Sequence, residues 1–420
     1  MQGYRHAALL GLWGLFWLVS TPVLAAYSTP LAHGPAVDAR AAVVLDVTTG
    51  LVLHAANGTA RLPMASLTKI MTALVALEQG QLQDEILIPP EATRISGNRV
   101  PLAPGAVYTL EELLFALLLT SANDAAQAIA LHYGDSVAGF VRLMNVKAQA
   151  LGLTDTHFTN PTGLDAPGHY SSALDMARLT AYALQHPVFR RLVGTLQVEL
   201  PPRGDLPGRQ LQNQNYLLAT YPGALGVKIG YTSRAGFCLV GAAAQEGRQV
   251  VAVLLGSDFE HGYADLARLL TWGFVHFEAR RLADTATPYV FGPVVGGTGA
   301  LVAHPAGPLT VLLERGRNQT PAVEVVWYEP LEPPIERGQV VGRLEVHLDG
   351  RLVAVQPLLA SAALAKVQTG PPPWLGSSLA GVLVALRCFR WWAQRRNRRL
   401  GQENPPTGAI LREGRQREVP

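Results

Sequence analysis

A serine and a lysine three residues apart form the first motif whose residue types suit catalysis. Ser66 and Lys69 lie near the start of the segment ASLTKIMTALVAL, whose apolar spacing predicts a helix. Residues three apart share a helical face, so the two side chains are expected to meet. The apolar neighbours of Lys69 would desolvate its ammonium group and lower its pKa, and a neutral lysine can take the proton of a serine hydroxyl. An N-capping serine beside a lysine that extends to solvent would show the same spacing.

The second motif places a hydroxyl and an amide two residues apart, at Ser121 and Asn123. It lies in a break between two predicted helices, residues 110–119 and 124–133. In an active site such a pair could relay a proton and hydrogen-bond a substrate amide. The same residues also suit an ordinary helix cap, so the motif alone leaves both interpretations open.

The third motif lies on a predicted strand, residues 226–232, with the sequence GVKIGYT. Alternation along a strand puts Lys228, Gly230 and Thr232 on one face. A lysine and a hydroxyl on that face suit a bound carboxylate, and a glycine lets another backbone approach closely. A lysine that protects an exposed sheet edge is the alternative interpretation.

The composition of the 420 residues excludes several classes of protein. Hydrophobic residues make up 49% and charged residues 15%, which excludes an intrinsically disordered chain. The two cysteines are too few for a disulfide scaffold or a cysteine-rich zinc module. The net charge of +3 is too small for a protein that binds nucleic acid.

The N-terminus has the pattern of a secretory signal peptide, residues 1–26. A short basic region at Arg5 and His6 precedes an apolar stretch, residues 7–19, and small residues follow where cleavage is expected. The pattern predicts an exported protein that acts on the outer face of the cytoplasmic membrane. An uncleaved N-terminal anchor is the alternative, and it leads to the same location.

A second apolar segment lies near the C-terminus. It begins at Trp374, and tryptophans and arginines follow it. Interfacial tryptophans and a basic flank are typical of membrane-anchored segments, so residues 374–393 are predicted to form a transmembrane or interfacial helix. Residues 394–420 are predicted to form a basic tail.

Between these ends, the pattern predicts two domains. The first, residues 33–280, is predicted to be α/β, with strands from both of its ends in one sheet. Its predicted elements are, in chain order, a hairpin (41–55), a helix-rich region (65–186), three strands (226–256) and a closing helix (263–277). Residues 285–366 show short β segments separated by Gly- and Pro-rich turns, with a hairpin signal at Asp349-Gly350, and predict a small all-β domain.

Three motifs follow one another along the chain: S-x-x-K, S-x-N and, on a late strand, K-x-G. Together they resemble the motifs of the penicillin-recognising serine enzymes. Over residues 36–364 the chain is similar to the D-alanyl-D-alanine carboxypeptidase family, the serine-type, low-molecular-mass penicillin-binding proteins. The stretches FTNPTGLD, HYSSA and LTWGF are also family-like. The resemblance implies an α/β fold class: a serine β-lactamase/transpeptidase-like domain, with an antiparallel sheet and a helical cluster, followed by a small all-β domain and a C-terminal membrane anchor.

The resemblance also implies an acyl-enzyme mechanism on peptidoglycan stem peptides. Ser66 would attack the carbonyl between two D-alanines, Lys69 would act as general base, and Ser121 would pass a proton to the leaving amine. The residues implied to bind the substrate are Asn123, Lys228, Gly230, Tyr231 and Thr232. The oxyanion hole would use the backbone N–H groups of Ser66 and Tyr231. β-Lactam antibiotics would be captured on the same serine, and the chemistry requires no metal or organic cofactor.

One position departs from the family pattern. Ile229 stands where the family usually has a threonine, whose hydroxyl helps to bind the terminal carboxylate of the substrate. Thr232 shares the strand face of Lys228 and is therefore a candidate to compensate.

Other functions on the same scaffold stay open. A class A β-lactamase would need a glutamate base, and Glu199 is the only glutamate between Asn123 and Lys228. A DD-endopeptidase or transpeptidase would use the same three motifs. A non-catalytic peptidoglycan binder is expected if the change at Ile229 reflects a decayed site.

Overall fold

The computed structural model of the chain describes residues 30–203, 205–367 and 384–392. The predicted signal peptide (1–26) and basic tail (394–420) lie outside the described residues. Up to residue 275 the elements are, in chain order, β1 (Ala41–Asp46), β2 (Val52–Ala56), α1 (Lys69–Gln79), β3 (Glu85–Leu87), β4 (Val107–Thr109), α2 (Leu110–Leu119), α3 (Asn123–Gly134), α4 (Val137–Ala150), α5 (Ala173–Ala183), α6 (Pro187–Gly194), β5 (Gln197–Leu200), β6 (Arg209–Gln212), α7 (Leu217–Thr220), β7 (Ala224–Thr232), β8 (Gly236–Gln245), β9 (Arg248–Ser257) and α8 (Gly262–Val275). The elements that follow are β10 (Phe277–Ala283), β11 (Tyr289–Pro293), β12 (Ala300–Pro305), β13 (Leu309–Glu314), β14 (Ala322–Trp327), β15 (Val340–Leu348) and β16 (Arg351–Ala360).

A five-stranded antiparallel sheet, in the order β2-β1-β9-β8-β7, forms the centre of the first part of the chain. Strands from both ends of this part therefore share one sheet, as the sequence predicts. β7, which carries the third motif, is an edge strand of this sheet. Its outer backbone edge is therefore free to face a cleft.

Both faces of this sheet are buried, because its strands are apolar at nearly every position. Val43 and Leu45 pack into the core formed by helices α1 to α6. Their neighbours Ala42 and Val44 pack on the other face, in a core shared with α8 and the C-terminal strands. Strands covered on both faces carry continuous apolar runs, and this explains why AAVVLD shows no alternation of polar residues.

Three helices of the cluster, α2, α4 and α5, begin at capping residues that the sequence encodes locally. Thr109 and Glu112 form a capping box at the start of α2. The side chains of Ser136 and Ser172 accept hydrogen bonds from the first turns of α4 and α5. These local signals define where these three helices start.

The C-terminal strands form the small all-β part that the sequence predicts. One sheet has the order β11-β12-β16-β15-β14, and β10 pairs with β13. Asp349 and Gly350 both have positive φ, at 51° and 76°, and they join β15 to β16 in the predicted hairpin.

The predicted membrane anchor, residues 374–393, is not supported by the described part of the chain. Residues 384–392 of it are described and helical, and the others lie outside the described residues. Within residues 30–203, 205–367 and 384–392, no helix is long and apolar enough to cross a membrane.

Candidate active site

Ser66 and Lys69 meet as their spacing predicts. Ser66 lies in a 3-10 turn, Ala65–Thr68, and Lys69 is the first residue of α1. Their side chains are 3.0 Å apart, from Nζ to Oγ. Lys69 is fully buried, so it does not extend to solvent as the alternative interpretation required.

Lys69 has three hydrogen-bonding partners that fix the orientation of its amine. Nζ donates to Oδ1 of Asn123 at 2.7 Å and to the carbonyl oxygen of Thr162 at 2.5 Å. Both of these oxygens can only accept, so they take the two hydrogens of a neutral amine. The nitrogen lone pair is then left for the hydroxyl hydrogen of Ser66.

The surroundings of Lys69 favour this neutral form. Burial lowers the pKa of Lys69 well below its ordinary value, and the nearby charge of Lys228 lowers it further. The carboxylate of Asp124 acts in the opposite direction and is the weakest of the three influences. A buried neutral lysine aimed at a serine hydroxyl is equipped to act as a general base.

Ser121 contributes a hydroxyl to the same site, and this hydroxyl has no hydrogen-bond partner among the described residues. Its φ is 62°, a left-handed conformation that a non-glycine residue adopts only when its surroundings impose it. Oγ is buried and has no hydrogen-bond partner among the described residues. A buried polar atom without a partner is costly, so this hydroxyl is suited to a ligand or to proton transfer.

Asn123 is the first residue of α3, one position before the start that the sequence predicts at residue 124. Its Oδ1 accepts from Lys69, and its Nδ2 donates to the carbonyl of Ser96 at 2.7 Å. Gly97 lies against the same amide, and a β-carbon there would be 2.6 Å from Nδ2. The loop around residue 97 therefore fixes the orientation of Asn123.

Strand β7 closes the site from the opposite side. Lys228 is buried, and its Nζ donates to the carbonyl of Ile229 at 2.9 Å. Burial lowers the pKa of Lys228 to about 7. Gly230 faces the nucleophile so closely that a β-carbon there would lie 2.6 Å from the backbone nitrogen of Ser66. The exposed Tyr231 follows it.

The hydroxyl of Thr232 is already engaged within the protein. Oγ1 donates to Oδ1 of Asp165 at 3.0 Å and accepts from the backbone N–H of Ala235 at 3.0 Å. Its hydrogen therefore points at Asp165 and not at an incoming carboxylate. In this arrangement Thr232 joins β7 to the loop at residue 165 and does not replace the hydroxyl that is missing at Ile229.

A cavity of ≈ 220 Å³ lies against Ser66, Ser121, Asn123 and the end of β7. Its lining residues are Ser66, Gly97, Asn98, Ser121, Asn123, Thr162, Gly163, Leu164, Gln214, Ile229, Gly230, Tyr231, Thr232, Phe237 and Phe259. Within the described part of the chain, none of these lining side chains is charged. Glu199 lies on β5, exposed and outside this lining, so the glutamate base of a class A β-lactamase is missing from the cavity.

The loop after residue 159 is a part of the site whose role the motifs do not reveal. Oδ1 of Asn160 accepts from the backbone of Thr162 and Gly163, which folds the NPTG stretch into a tight turn. The turn presents the carbonyl of Thr162 to Lys69. Gly163 has a φ of 87°, and a β-carbon there would lie 2.0 Å from the carbonyl oxygen of Ala65. The turn composition is visible in the sequence, but its partner is not.

His169 supports the 3-10 turn that carries Ser66. The backbone N–H of Thr159 donates to Nδ1 at 3.0 Å, so the ring hydrogen is on Nε2 and is donated to Oγ1 of Thr68 at 2.8 Å. Thr68 in turn donates to the carbonyl of Ala65 at 2.8 Å. Burial, with smaller contributions from His157 and Lys69, lowers the pKa of His169 to about 4.

We expect His169 to make the folded state sensitive to acid. Its pKa falls from 6.5 in the unfolded chain to about 4 in the folded one, so its contribution is complete above pH 6.5 and is lost as the pH falls towards 4. Between pH 6.5 and pH 4, the free energy of unfolding of the native chain should therefore fall more steeply with decreasing pH than that of His169→Gln. The difference between the two slopes should be about 1.4 kcal/mol per pH unit. Urea unfolding at several pH values measures both slopes, and equal slopes would refute the assignment.

Comparison with known proteins identifies the family of the chain. The D-alanyl-D-alanine carboxypeptidase family profile matches residues 28–259, more than half of the chain. The chain belongs to this family. A second profile, the C-terminal domain of penicillin-binding protein 5, matches residues 294–366.

The matches to individual relatives cover most of the chain. The D-alanyl-D-alanine carboxypeptidase DacF of Bacillus subtilis is 33% identical over 347 residues, which cover 81% of this chain and 88% of that protein. The D-alanyl-D-alanine carboxypeptidase DacA of Escherichia coli is 34% identical over 340 residues, or 77% and 83% of the two chains. The crystal structure of penicillin-binding protein 5 from Haemophilus influenzae superposes with a TM-score of 0.69 at 27% identity, covering 80% of this chain and all of that one.

Proposed function

We propose that this protein is a serine-type D-alanyl-D-alanine carboxypeptidase that removes the terminal D-alanine from peptidoglycan stem peptides. The observation that carries the proposal is the arrangement around Lys69, whose buried amine has two carbonyl acceptors and faces the hydroxyl of Ser66. β-Lactam antibiotics would acylate the same serine, because they present a strained amide to the same groups. The proposal accords with family membership and with relatives that carry this activity in their names.

Acylation begins with proton transfer from Ser66 to the lone pair of Lys69. The serine oxygen then attacks the carbonyl carbon between the two D-alanines and forms a tetrahedral intermediate. The backbone N–H groups of Ser66 and Tyr231 would hold its oxyanion, and the close approach of Gly230 to Ser66 supports this placement. The 3-10 turn and the following helix add favourable backbone dipoles at the nucleophile.

Collapse of the intermediate requires a proton on the leaving amine. Ser121 is suited to deliver it, because its buried hydroxyl has no partner among the described residues and lines the same cavity. The proton would come from Lys69, through Ser121, to the nitrogen. Free D-alanine then leaves, and water attacks the acyl-enzyme with Lys69 again as base.

The remaining residues would hold the two ends of the substrate. The ammonium group of Lys228 would attract the terminal carboxylate, and Asn123 would hydrogen-bond the amide of the acyl portion through its remaining N–H. Thr232 would shape this end of β7 through its hydrogen bond to Asp165. Ile229 lines the cavity without offering a hydroxyl, so Lys228 carries more of the carboxylate binding than in relatives with threonine.

We also propose an extracytoplasmic location and a division into two domains. The location follows from the N-terminal export pattern and from the peptidoglycan substrate, which lies outside the cytoplasm. The proposed domains, residues 33–280 and 285–366, accord with the two family profiles, which match on either side of that boundary.

The proposal is tested by replacing the nucleophile. Ser66→Ala is expected to abolish covalent labelling by a fluorescent penicillin and release of D-alanine, because no acyl-enzyme can form. Ser233→Ala is the matched control, since Ser233 is exposed in the turn after β7 and should label normally. Stoichiometric labelling of Ser66→Ala would place the nucleophile elsewhere and overturn the mechanism.

A further inference from the structure

Two glutamates face each other across a pair of strands in the C-terminal β part. β14 is an edge strand that pairs with β15, and Glu324 on β14 lies directly opposite Glu345 on β15. Like charges in this position destabilise an antiparallel pair. Glu324 is exposed, and its carboxylate has no hydrogen-bond or ion-pair partner among the described residues. A cation bound between the two carboxylates would turn this repulsion into attraction.

A histidine adds a third donor to the same place. His347 follows Glu345 by two positions on β15, so both side chains project from the same face of the sheet. One ring nitrogen of His347 and one oxygen of each glutamate all lie within 4.8 Å of one another. Within the described part of the chain, the ring of His347 has no hydrogen-bond partner. Two carboxylate oxygens and an imidazole nitrogen are donors that proteins use to bind Zn²⁺.

Strand β15 holds two of these donors in fixed positions. It pairs with β14 on one side and with β16 on the other. Leu344, Val346 and Leu348 alternate with the donors and are buried on the opposite face, at 0%, 0% and 4% exposure. A strand paired on both sides and packed on one face positions ligands more precisely than a loop does.

Arg343 orients one of the carboxylates. Its Nε donates to Oε1 of Glu345 at 2.6 Å, and its guanidinium lies 5.6 Å from the centre of the Tyr328 ring. Along β15, Arg343 and His347 lie on opposite sides of Glu345. Arg343 therefore holds one oxygen of Glu345 and leaves the other for a ligand beside His347. Carboxylates that bind a metal ion are commonly held by a second hydrogen bond of this kind.

A second group of donors in the described part of the chain is less suited to a metal ion. The ligand atoms of Asp38, Asp258 and His261 also lie within 4.8 Å of one another. All three residues are exposed, and they lie outside the strands. The carboxylate of Asp258 already accepts from the backbone N–H of His261 at 2.7 Å, and the ring of His261 lies 3.0 Å from its other oxygen.

We propose that Glu324, Glu345 and His347 form a zinc site that joins the edge strand β14 to β15. Zinc-to-ligand bonds of about 2 Å require the donors to move closer together, and the exposed side chain of Glu324 is free to do so. Three protein ligands leave the fourth tetrahedral position to water. None of the three residues lines the catalytic cavity, so the proposal goes beyond the proposed function and does not depend on it.

The test is a zinc titration of the full-length protein after removal of metals with EDTA. Isothermal titration calorimetry should show a zinc site with a stoichiometry of one per chain. Calcium should bind there at least about tenfold more weakly, because imidazole favours zinc and calcium prefers oxygen ligands alone. At a zinc concentration about a hundredfold above the Kd, the Tm measured by circular dichroism should rise by about 5 °C or more.

Two variants distinguish a metal ligand from a residue that only supports the fold. Glu324→Gln should weaken zinc binding by about tenfold or more, yet raise the Tm without zinc, because it removes the repulsion from Glu345. His347→Gln should weaken zinc binding to a similar extent and remove the preference for zinc over calcium. His261→Gln and Cys388→Ser are the matched controls, since both remove exposed zinc-binding groups elsewhere, and both should keep the native Kd.

Three results would overturn the proposal. Zinc could bind the native protein no more tightly than calcium, both Glu324→Gln and His347→Gln could keep the native Kd for zinc, or His261→Gln or Cys388→Ser alone could abolish binding. Penicillin labelling of Ser66 in the same preparations tests the proposed function separately, because the zinc ligands lie outside the catalytic cavity.

Discussion

Replacing Lys69 with arginine should slow acylation of Ser66 by about 10²- to 10⁴-fold, the usual contribution of a general base. A guanidinium group stays protonated at every accessible pH, so it offers no lone pair to the serine hydroxyl. The effect follows from geometry in which two carbonyl acceptors leave one position on the amine free for Ser66. The time course of labelling by a fluorescent penicillin measures the rate.

Two further variants make this result interpretable. Lys147→Arg is the matched control, because Lys147 pairs with Glu78 at 2.6 Å on the surface of the helical cluster and should label at the native rate. Lys69→Met replaces the lysine with an unbranched apolar side chain that suits a buried position, and it should be equally inactive. Native labelling rates in either Lys69 variant would mean that another group is the base.

Replacing Gly230 with alanine is expected to lower the rate of acylation by about 10²- to 10³-fold, comparable to the loss of one oxyanion-hole donor. A β-carbon at this position would lie 2.6 Å from the backbone nitrogen of Ser66, closer than such contacts occur. Either the 3-10 turn that carries Ser66 or strand β7 must then move, and the backbone N–H of Ser66 leaves its position. The rate of penicillin labelling and the Tm measured by circular dichroism together separate this effect from unfolding.

The control for this variant is a glycine with room for a β-carbon. At Gly194, the last residue of α6, an added β-carbon would lie 3.5 Å from the carbonyl oxygen of Leu225, an ordinary van der Waals distance. Gly194→Ala should therefore label at nearly the native rate. A Gly230→Ala protein that also labels at the native rate would show that the close approach is not needed for oxyanion stabilisation.

The sequence predicts much of the fold because its signals are local. The GVKIGYT strand and the two apolar strands after it form β7, β8 and β9 at nearly the expected positions. The Asp349-Gly350 turn forms the expected hairpin. Period-2 and period-3.6 patterns report local geometry directly, and the order of the three motifs indicates the family without reference to contacts.

The sequence does not predict the groups that complete the site, because they are backbone atoms from distant loops. The carbonyl of Thr162 reaches Lys69 from 93 positions along the chain, and the carbonyl of Ser96 fixes Asn123. Any residue type supplies a carbonyl, so composition cannot identify one that matters. The left-handed conformation of Ser121 is equally invisible, since tertiary contacts and not residue type impose it.

The position of Thr232 shows where face alternation misleads. Alternation predicts that it shares the face of Lys228, yet a carboxylate from the loop at Asp165 accepts the hydrogen of its hydroxyl. A shared face establishes proximity, whereas hydrogen-bond direction depends on every neighbour.

Under the proposed function, binding of an anion beside Lys228 would also be a protonation reaction. With a pKa of about 7, Lys228 is charged in only part of the molecules at neutral pH before any ligand arrives. Under the proposed function, a carboxylate bound beside Lys228 would stabilise the ammonium form, so the ligand and a proton would bind together. Above pH 7, each further pH unit then reduces the affinity for an anionic ligand by up to about tenfold. Under the proposed location and function, the pH outside the cell would therefore act together with substrate concentration to set how much substrate is bound.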